Sequence, residues 1–151
     1  MDLDAAAWSS PVIGDGLVFV CDYEGNAVGI LCASGRVSWR FSTDKPVMTC
    51  PLLAADTLVL AGEEGDLFAL DARIGVLLWH EALDEGILAA PVAAGDNLYV
   101  AGLEGGIYRL DKDTGRIAST ADCKGPIYST PTLGEGALYV GCDDGVLYAF
   151  G

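Results

Sequence analysis

The sequence predicts an all-β protein built from one unit that repeats every 40 residues. Four prolines share that interval along the chain: Pro11, Pro51, Pro91 and Pro131. Four glycines share it as well, each directly after an acidic residue: Gly25, Gly65, Gly105 and Gly145. A fixed period of this length indicates one supersecondary unit copied four times.

Each copy contains up to four short apolar runs, separated by turns rich in Gly and Asp. The first run follows the proline. The second run leads to the acid-Gly turn and covers residues 17–20, 58–60, 98–100 and 138–140. The third run covers residues 27–31, 67–70, 107–110 and 146–150, and the fourth covers residues 36–41, 76–79 and, more weakly, 116–119. Runs of this length and composition predict strands joined by hairpins.

The second and third runs are almost continuously apolar, which is typical of strands in a sheet that is covered on both faces. Four-stranded antiparallel sheets covered on both sides, at this period, predict the blades of a β-propeller. We predict one domain over residues 1–151, with blades at residues 8–47, 48–87, 88–127 and 128–151, the last without its fourth strand. Large residues just before each first strand suit wedges between blades: Trp8, Met48, Leu88 and Tyr128.

Three segments resemble the repeat of the quinoprotein-like (PQQ-like) β-propellers: LFALDARIGVLLW at residues 67–79, LDKDTG at 110–115 and YVGCDDGVLYAF at 139–150. In that family a tryptophan of the fourth strand docks on the next blade. Trp39 and Trp79 match it, whereas the third copy has Ser119. Propellers of this family close into rings of seven or eight blades. The resemblance therefore implies that the four blades of this chain are half of an eight-bladed ring. FST at 41–43 and CDDG at 142–145 resemble the C-terminal propeller of β-alanine-activating adenylating enzymes, which implies an accessory domain of an adenylating enzyme or kinase.

The charge balance limits the partners of this chain. Eight basic and 22 acidic residues give a formal charge of −14, which disfavours nucleic acid and anionic membrane surfaces. The longest apolar run, residues 87–94, is too short to span a membrane and contains Pro91. Residues 1–4 show no secretory signal, so we expect a cytoplasmic protein. Its five cysteines are irregularly spaced, and we expect buried or half-buried free thiols.

The acidic residues concentrate in loops that a propeller places on one face. The turns between second and third strands carry eight: Asp22, Glu24, Glu63, Glu64, Asp66, Glu104, Asp143 and Asp144. The links between blades carry four more: Asp44, Asp84, Glu85 and Asp122. Twelve acids against Lys45 and Lys124 give this face about −10 of the formal charge. It predicts a docking surface for a cationic partner; the alternative is that these acids serve turn formation and solubility.

No residue pattern predicts catalysis, a cofactor or a metal site. His80 has no partner fixed by spacing, so we expect an exposed loop residue. Ser9, Ser10, Ser129 and Thr130 lie at positions where every copy is small, so we expect a steric role near the axis. A quinone dehydrogenase of this fold would need adjacent cysteines and a calcium site, and no two cysteines are adjacent. Asp71 and Asp111 suit side-chain caps of turns rather than Ca²⁺ ligands.

The leading function is therefore a non-catalytic interaction module, either a stand-alone scaffold or a piece of a larger propeller, with a protein partner or a second copy of itself. Four blades would leave the outer faces of blades 1 and 4 bare, and two chains about a two-fold axis would make eight blades. Residues 2–7 could cover the unpaired edge of blade 4 only partly. The alternatives are a strained, closed four-blade monomer, a fragment of a quinoprotein dehydrogenase, or the accessory domain described above.

Overall fold

The computed structural model describes residues 6–151, which form fifteen strands and no helix. Blade 1 contains β1 (Val12–Gly14), β2 (Leu17–Cys21), β3 (Asn26–Leu31) and β4 (Val37–Ser42). Blade 2 contains β5 (Leu52–Ala54), β6 (Thr57–Ala61), β7 (Asp66–Asp71) and β8 (Leu77–Ala82). Blade 3 contains β9 (Val92–Ala94), β10 (Asn97–Ala101), β11 (Gly106–Asp111) and β12 (Ile117–Asp122). Blade 4 contains β13 (Thr132–Gly134), β14 (Ala137–Gly141) and β15 (Leu147–Phe150).

Every blade is an antiparallel sheet whose strands lie in chain order, with four strands in blades 1–3 and three in blade 4. The predicted all-β propeller architecture and the incomplete last blade are therefore confirmed. The weak fourth run of the third copy forms a complete strand, β12. Each complete blade has a register shift at the same place in its third strand, after Gly29, Ala69 and Arg109.

The hydrophobic core lies between blades. Side chains of β2 point alternately to the two faces of blade 1. Leu17 and Phe19 point forward, that is, toward the following blade, and pack against Leu58 and Leu60 of blade 2. The intervening residues of β6, such as Val59, pack forward against blade 3 in turn. Because each inner blade is covered on both faces, its second and third strands lack polar alternation, which is what the sequence pattern indicated.

Two tryptophans join blades 1 and 2 to the blades that follow them. The indole Nε1–H of Trp39 donates to the backbone carbonyl of Ala72 at 2.9 Å, and that of Trp79 donates to the carbonyl of Lys112 at 2.8 Å. Both rings lie directly over a glycine of the next blade, Gly75 or Gly115, where a Cβ atom would clash with the ring. The predicted docking of the fourth-strand tryptophans is therefore confirmed.

The predicted wedges between blades are wrong by one residue. Trp8 is 67% exposed and stacks on Tyr23 at 5.0 Å, and Tyr128 is also exposed. The fully buried side chains of the links come just before the predicted positions: Val47, Ile87 and Ile127. The medium-sized apolar residue, rather than the larger one after it, fills the junction.

The four blades form an open arc. Among the described strands, β1 contacts β5, β5 contacts β9 and β9 contacts β13, whereas β13 does not contact β1. The alternative of a closed four-blade monomer is therefore wrong. The residues 2–7 that we considered as an edge cover lie mostly outside the described part of the chain.

Candidate functional site: the acidic loop face

The turns between second and third strands and the links at residues 43–47, 83–87 and 123–127 lie together on one surface, the acidic loop face. Their backbones are hydrogen-bonded to each other. The N–H of Glu63 donates to the carbonyl of Pro46, and the N–H of Leu83 donates to the carbonyl of Gly65, both at 3.0 Å. The same bonds recur in blade 3, so the turns and links share a face, as the sequence predicts.

Six of the eight predicted turn acids are exposed on this face: Glu24, Glu63, Glu64, Glu104, Asp143 and Asp144. The other two, Asp22 and Asp66, are buried, so placing them on a docking surface was wrong. Asp22 closes its own turn, because its carboxylate accepts hydrogen bonds from the backbone and side-chain amides of Asn26 at 2.9–3.2 Å.

Asp66 is the centre of a polar contact between blades 1 and 2. Its side chain is only 5% exposed and accepts hydrogen bonds from Lys45 Nζ at 2.6 Å and from the ring of His80 at 2.7 Å. Burial alone would raise the pKa of Asp66, but the hydrogen bonds from Lys45 and His80 outweigh burial and hold that pKa below its usual value. The bond to Asp66 raises the pKa of Lys45 in return. Glu64 lies 3.5 Å from the same ammonium group.

His80 is exposed, as predicted, but its placement in a loop was wrong. It lies inside β8, with its side chain 42% exposed and its ring stacked on Phe68 at a centroid distance of 4.6 Å. This stacking and the bond to Asp66 hold the imidazole in one orientation. The missed signal is the hairpin register: Asp66 is opposite Ala82, so His80 lies on the diagonal two residues away, within reach of a long side chain.

The next two junctions replace the ion pair with tyrosines. Tyr108 donates from its hydroxyl to Glu85 at 2.7 Å, and the other oxygen of that carboxylate accepts the backbone N–H of Glu104. Burial, and then the Glu85 carboxylate, raise the pKa of Tyr108. At the third junction the hydroxyl of Tyr148 accepts the backbone N–H of Lys124 at 3.2 Å. Within blade 4 the same hydroxyl donates to Asp144 at 2.7 Å, which lowers the pKa of that carboxyl.

These contacts leave the charge of the acidic loop face almost unchanged. The Lys45–Asp66 pair removes one charge of each sign, so the formal charge of the face stays at about −10. Six carboxylates of the turns remain exposed, together with Asp44, Asp84 and Asp122 of the links. The opposite ends of the blades carry four basic residues, Arg36, Arg73, Lys112 and Arg116, among acids such as Asp15, Asp56 and Asp96, so they are less negative than the acidic loop face.

The other candidate side chains have structural contacts. The hydroxyls of Ser9, Thr49 and Ser129 donate to the carbonyl that ends the second strand of their own blade, at 3.0–3.3 Å. The carboxylates of Asp71 and Asp111 accept backbone N–H groups two and three residues onward, which confirms that they cap turns. Within the described residues no group of His, Cys, Asp and Glu could hold a metal ion.

The cysteines are free thiols, as expected. Four are buried or half-buried, but Cys32 is exposed, so the burial prediction was wrong there. Burial raises the pKa of Cys21 to about 12 and that of Cys123 to about 11. In residues 6–151 no helix is long and apolar enough to cross a membrane.

A family model described as outer membrane protein assembly factor BamB matches residues 2–88 and 81–151, which together cover almost the whole chain. The chain belongs to the PQQ-like β-propeller repeat family. A search of curated protein sequences finds no significant match.

Solved structures share the fold at low sequence identity. BamB from Moraxella catarrhalis is 22% identical with a TM-score of 0.88, and the alignment covers 99% of this chain and 48% of that one. The computationally designed Ika4 protein is 13% identical with a TM-score of 0.88, and 99% of this chain covers 92% of it. Quinohemoprotein alcohol dehydrogenase ADHIIG from Pseudomonas putida HK5 is 15% identical with a TM-score of 0.82, at 94% and 29% coverage. The chain spans about half the length of BamB, and the fold alone does not decide between binding and catalysis.

Proposed function

We propose that this chain is a non-catalytic interaction module that pairs with a second copy to complete an eight-bladed ring, whose acidic loop face docks a cationic partner. The observation that carries the self-association is the exposure of Leu147. This side chain is 71% exposed in blade 4, whereas the residues at the same place in blades 2 and 3, Leu67 and Ile107, are 0% and 4% exposed. The same position of the repeat is therefore buried in the core in blades 2 and 3 and exposed in blade 4.

The outer face of blade 4 and the outer face of blade 1 are complementary in the way that neighbouring blades are. Blade 4 presents Tyr139, Leu147 and Ala149, at the positions that pack forward in blade 2. Blade 1 presents Ile13, Val18, Val20 and Ile30, at the positions of blade 2 that pack backward. Apolar faces of this kind promote association. A two-fold axis sets each blade 4 against the partner's blade 1 and closes both gaps with two equivalent contacts.

The comparisons support a module of this size. The designed Ika4 protein has nearly the length of this chain, so four blades of this fold exist as a separate polypeptide. BamB is about twice as long as the segment that this chain matches. The family description, an assembly factor, supports a role in protein interactions.

Leu147→Glu tests the self-association. A carboxylate in the proposed contact cannot be desolvated without a partner, so we expect this variant to sediment as a species of about 15.7 kDa at about 10 µM, where we expect the wild type to be a dimer. Leu78→Glu is the matched control, because Leu78 is also exposed but lies on β8 of an inner blade. An unchanged mass for Leu147→Glu, or equal effects of the two variants, would contradict the proposed contact.

The docking of a cationic partner is tested with a lysine-rich peptide at varied salt. Exposed charges are screened over roughly 8–10 Å at physiological ionic strength, so we expect weak binding at about 20 mM salt that fades by about 150 mM. Replacing Glu24, Glu63 and Glu104 with Gln should weaken the binding. Replacing Asp15, Asp56 and Asp96, at the opposite ends of the blades, with Asn removes the same charge and should weaken it less. Equal effects of the two triple variants, or binding that does not depend on salt, would overturn the docking role of this face.

A further inference from the structure

The junction between blades 3 and 4 contains a cleft of about 530 Å³, a volume within the range of small-molecule sites. Its apolar wall consists of Tyr99, Ile107, Leu133, Leu138 and Phe150. The same five positions in the junction between blades 1 and 2 are Phe19, Ala27, Leu53, Leu58 and Leu70, which pack around Trp39. The cleft is therefore the place where the first junction holds an indole ring.

The third copy has Ser119 at the tryptophan position, so no indole ring of blade 3 fills this cleft. Trp39 lies opposite Gly29 and Trp79 lies opposite Ala69 in the strand registers. Those two small residues leave room for a ring to lie over the sheet; a Cβ atom on Gly29 would come within 2.4 Å of the indole of Trp39. In blade 3 the sizes are exchanged, because Ser119 lies opposite Arg109.

Arg109 supplies the charge of the site. It is exposed, it lines the cleft, and it makes no ion pair or side-chain hydrogen bond with any residue between positions 6 and 151. A guanidinium binds a carboxylate in a forked geometry and also stacks on aromatic faces. Ser119 lies opposite Arg109 on the same side of the cleft, whereas Glu135 lies on the blade 4 side, so a ligand carboxylate is favoured next to blade 3.

We propose that the cleft between blades 3 and 4 binds a planar aromatic acid, with its ring in the place of the missing tryptophan and its carboxylate on Arg109. The proposal goes beyond the interaction role above, because it concerns a small ligand and needs neither the second copy nor the acidic loop face. The ring would cover the exposed edges of Tyr99 and Phe150, which are only half-buried although Phe19 and Leu70, at the same positions, are fully buried.

Indole-3-acetate and indole, titrated into the intact chain and followed by NMR, test the proposal. For a ligand of this size we expect a Kd on the order of 0.1–1 mM for indole-3-acetate. The shifted resonances should be those of Tyr99, Ile107 and Leu138. Saturation with shifts elsewhere, or no saturation up to about 10 mM, would overturn the site.

Two variants separate the ring contact from the charge contact. Arg109→Ala combined with Ser119→Trp restores the pairing found at Ala69 and Trp79. This double variant should bind indole-3-acetate at least about tenfold more weakly, and its unfolding midpoint should be preserved. Arg109→Gln should lower the affinity for indole-3-acetate about fivefold or more and leave the affinity for indole unchanged. The control Arg36→Gln should change neither affinity. Equal losses for Arg36→Gln and Arg109→Gln, or full binding by the refilled double variant, would contradict the proposal.

Discussion

Replacement of Gly65 by valine tests how the acidic loop face is built. Gly65 has a φ of +99°, a conformation that β-branched residues avoid at a cost of roughly 1–3 kcal/mol. A Cβ atom there would also lie 2.3 Å from the carbonyl oxygen of Glu85 and 2.8 Å from that of Leu83. The link must then move, and the hydrogen bond from Leu83 to Gly65 is lost, which costs about 1 kcal/mol more. We expect Gly65→Val to lower the free energy of unfolding by about 2–4 kcal/mol.

Gly145→Val is the matched control. Gly145 has the same turn position and a φ of +80°, but within residues 6–151 no atom other than those of its chain neighbours lies within 4 Å of the position that a Cβ atom would take. Only the backbone strain applies, so we expect a loss of about 1–3 kcal/mol, which is about 1 kcal/mol smaller than the loss at Gly65. Urea unfolding measures both, and with a slope of about 2 kcal/mol per M the larger effect moves the midpoint by about 1–2 M. An unchanged midpoint for Gly65→Val, or equal losses at the two sites, would refute the account of the turn.

Three further predictions concern the junctions and thiols. Trp79→Ala should lower the free energy of unfolding by about 3–5 kcal/mol, because it empties a packed junction and removes the hydrogen bond to Lys112. Trp8→Ala, the exposed control, should change it by less than about 0.5 kcal/mol. Urea unfolding midpoints compare the two variants. Asp66 has a lowered pKa, so its contribution to the free energy of unfolding is present above about pH 4 and is lost as pH falls through the folded-state pKa. Asp66→Asn should therefore make the free energy of unfolding less dependent on pH on the acid side. The same slope against pH in the wild type and the variant would contradict this. A thiol reagent at about pH 8 should label Cys32 first and Cys21 only on unfolding; simultaneous labelling would be evidence against the burial of Cys21.

Most of the fold can be predicted from the repeat period of the sequence. Turn glycines at a fixed interval require positive φ, and Gly25, Gly65, Gly105 and Gly145 all have it. The apolar runs between them have one pairing register that buries both faces, so strand order follows from hairpin connections alone. The tryptophan junctions were predicted from the resemblance, because the large side chain recurs at one position of the repeat.

The polar contacts between blades were not predictable in the same way, because they differ from junction to junction. Lys45 reaches Asp66 across 21 residues, while Glu85, at the next equivalent position, meets Tyr108 instead. A period identifies positions that are alike and says nothing about positions that have diverged. Burial of Asp66 depends on which side chains happen to surround it, and only the three-dimensional packing shows that.

The mass of the wild-type chain in solution tests the central claim most directly. The open arc and the bare outer faces of blades 1 and 4 predict a dimer of about 31 kDa, twice the 15.7 kDa of one chain, in sedimentation equilibrium at about 10 µM. The dimer should persist at high salt, because the proposed contact is apolar. A stable species of 15.7 kDa under these conditions would contradict the eight-bladed ring.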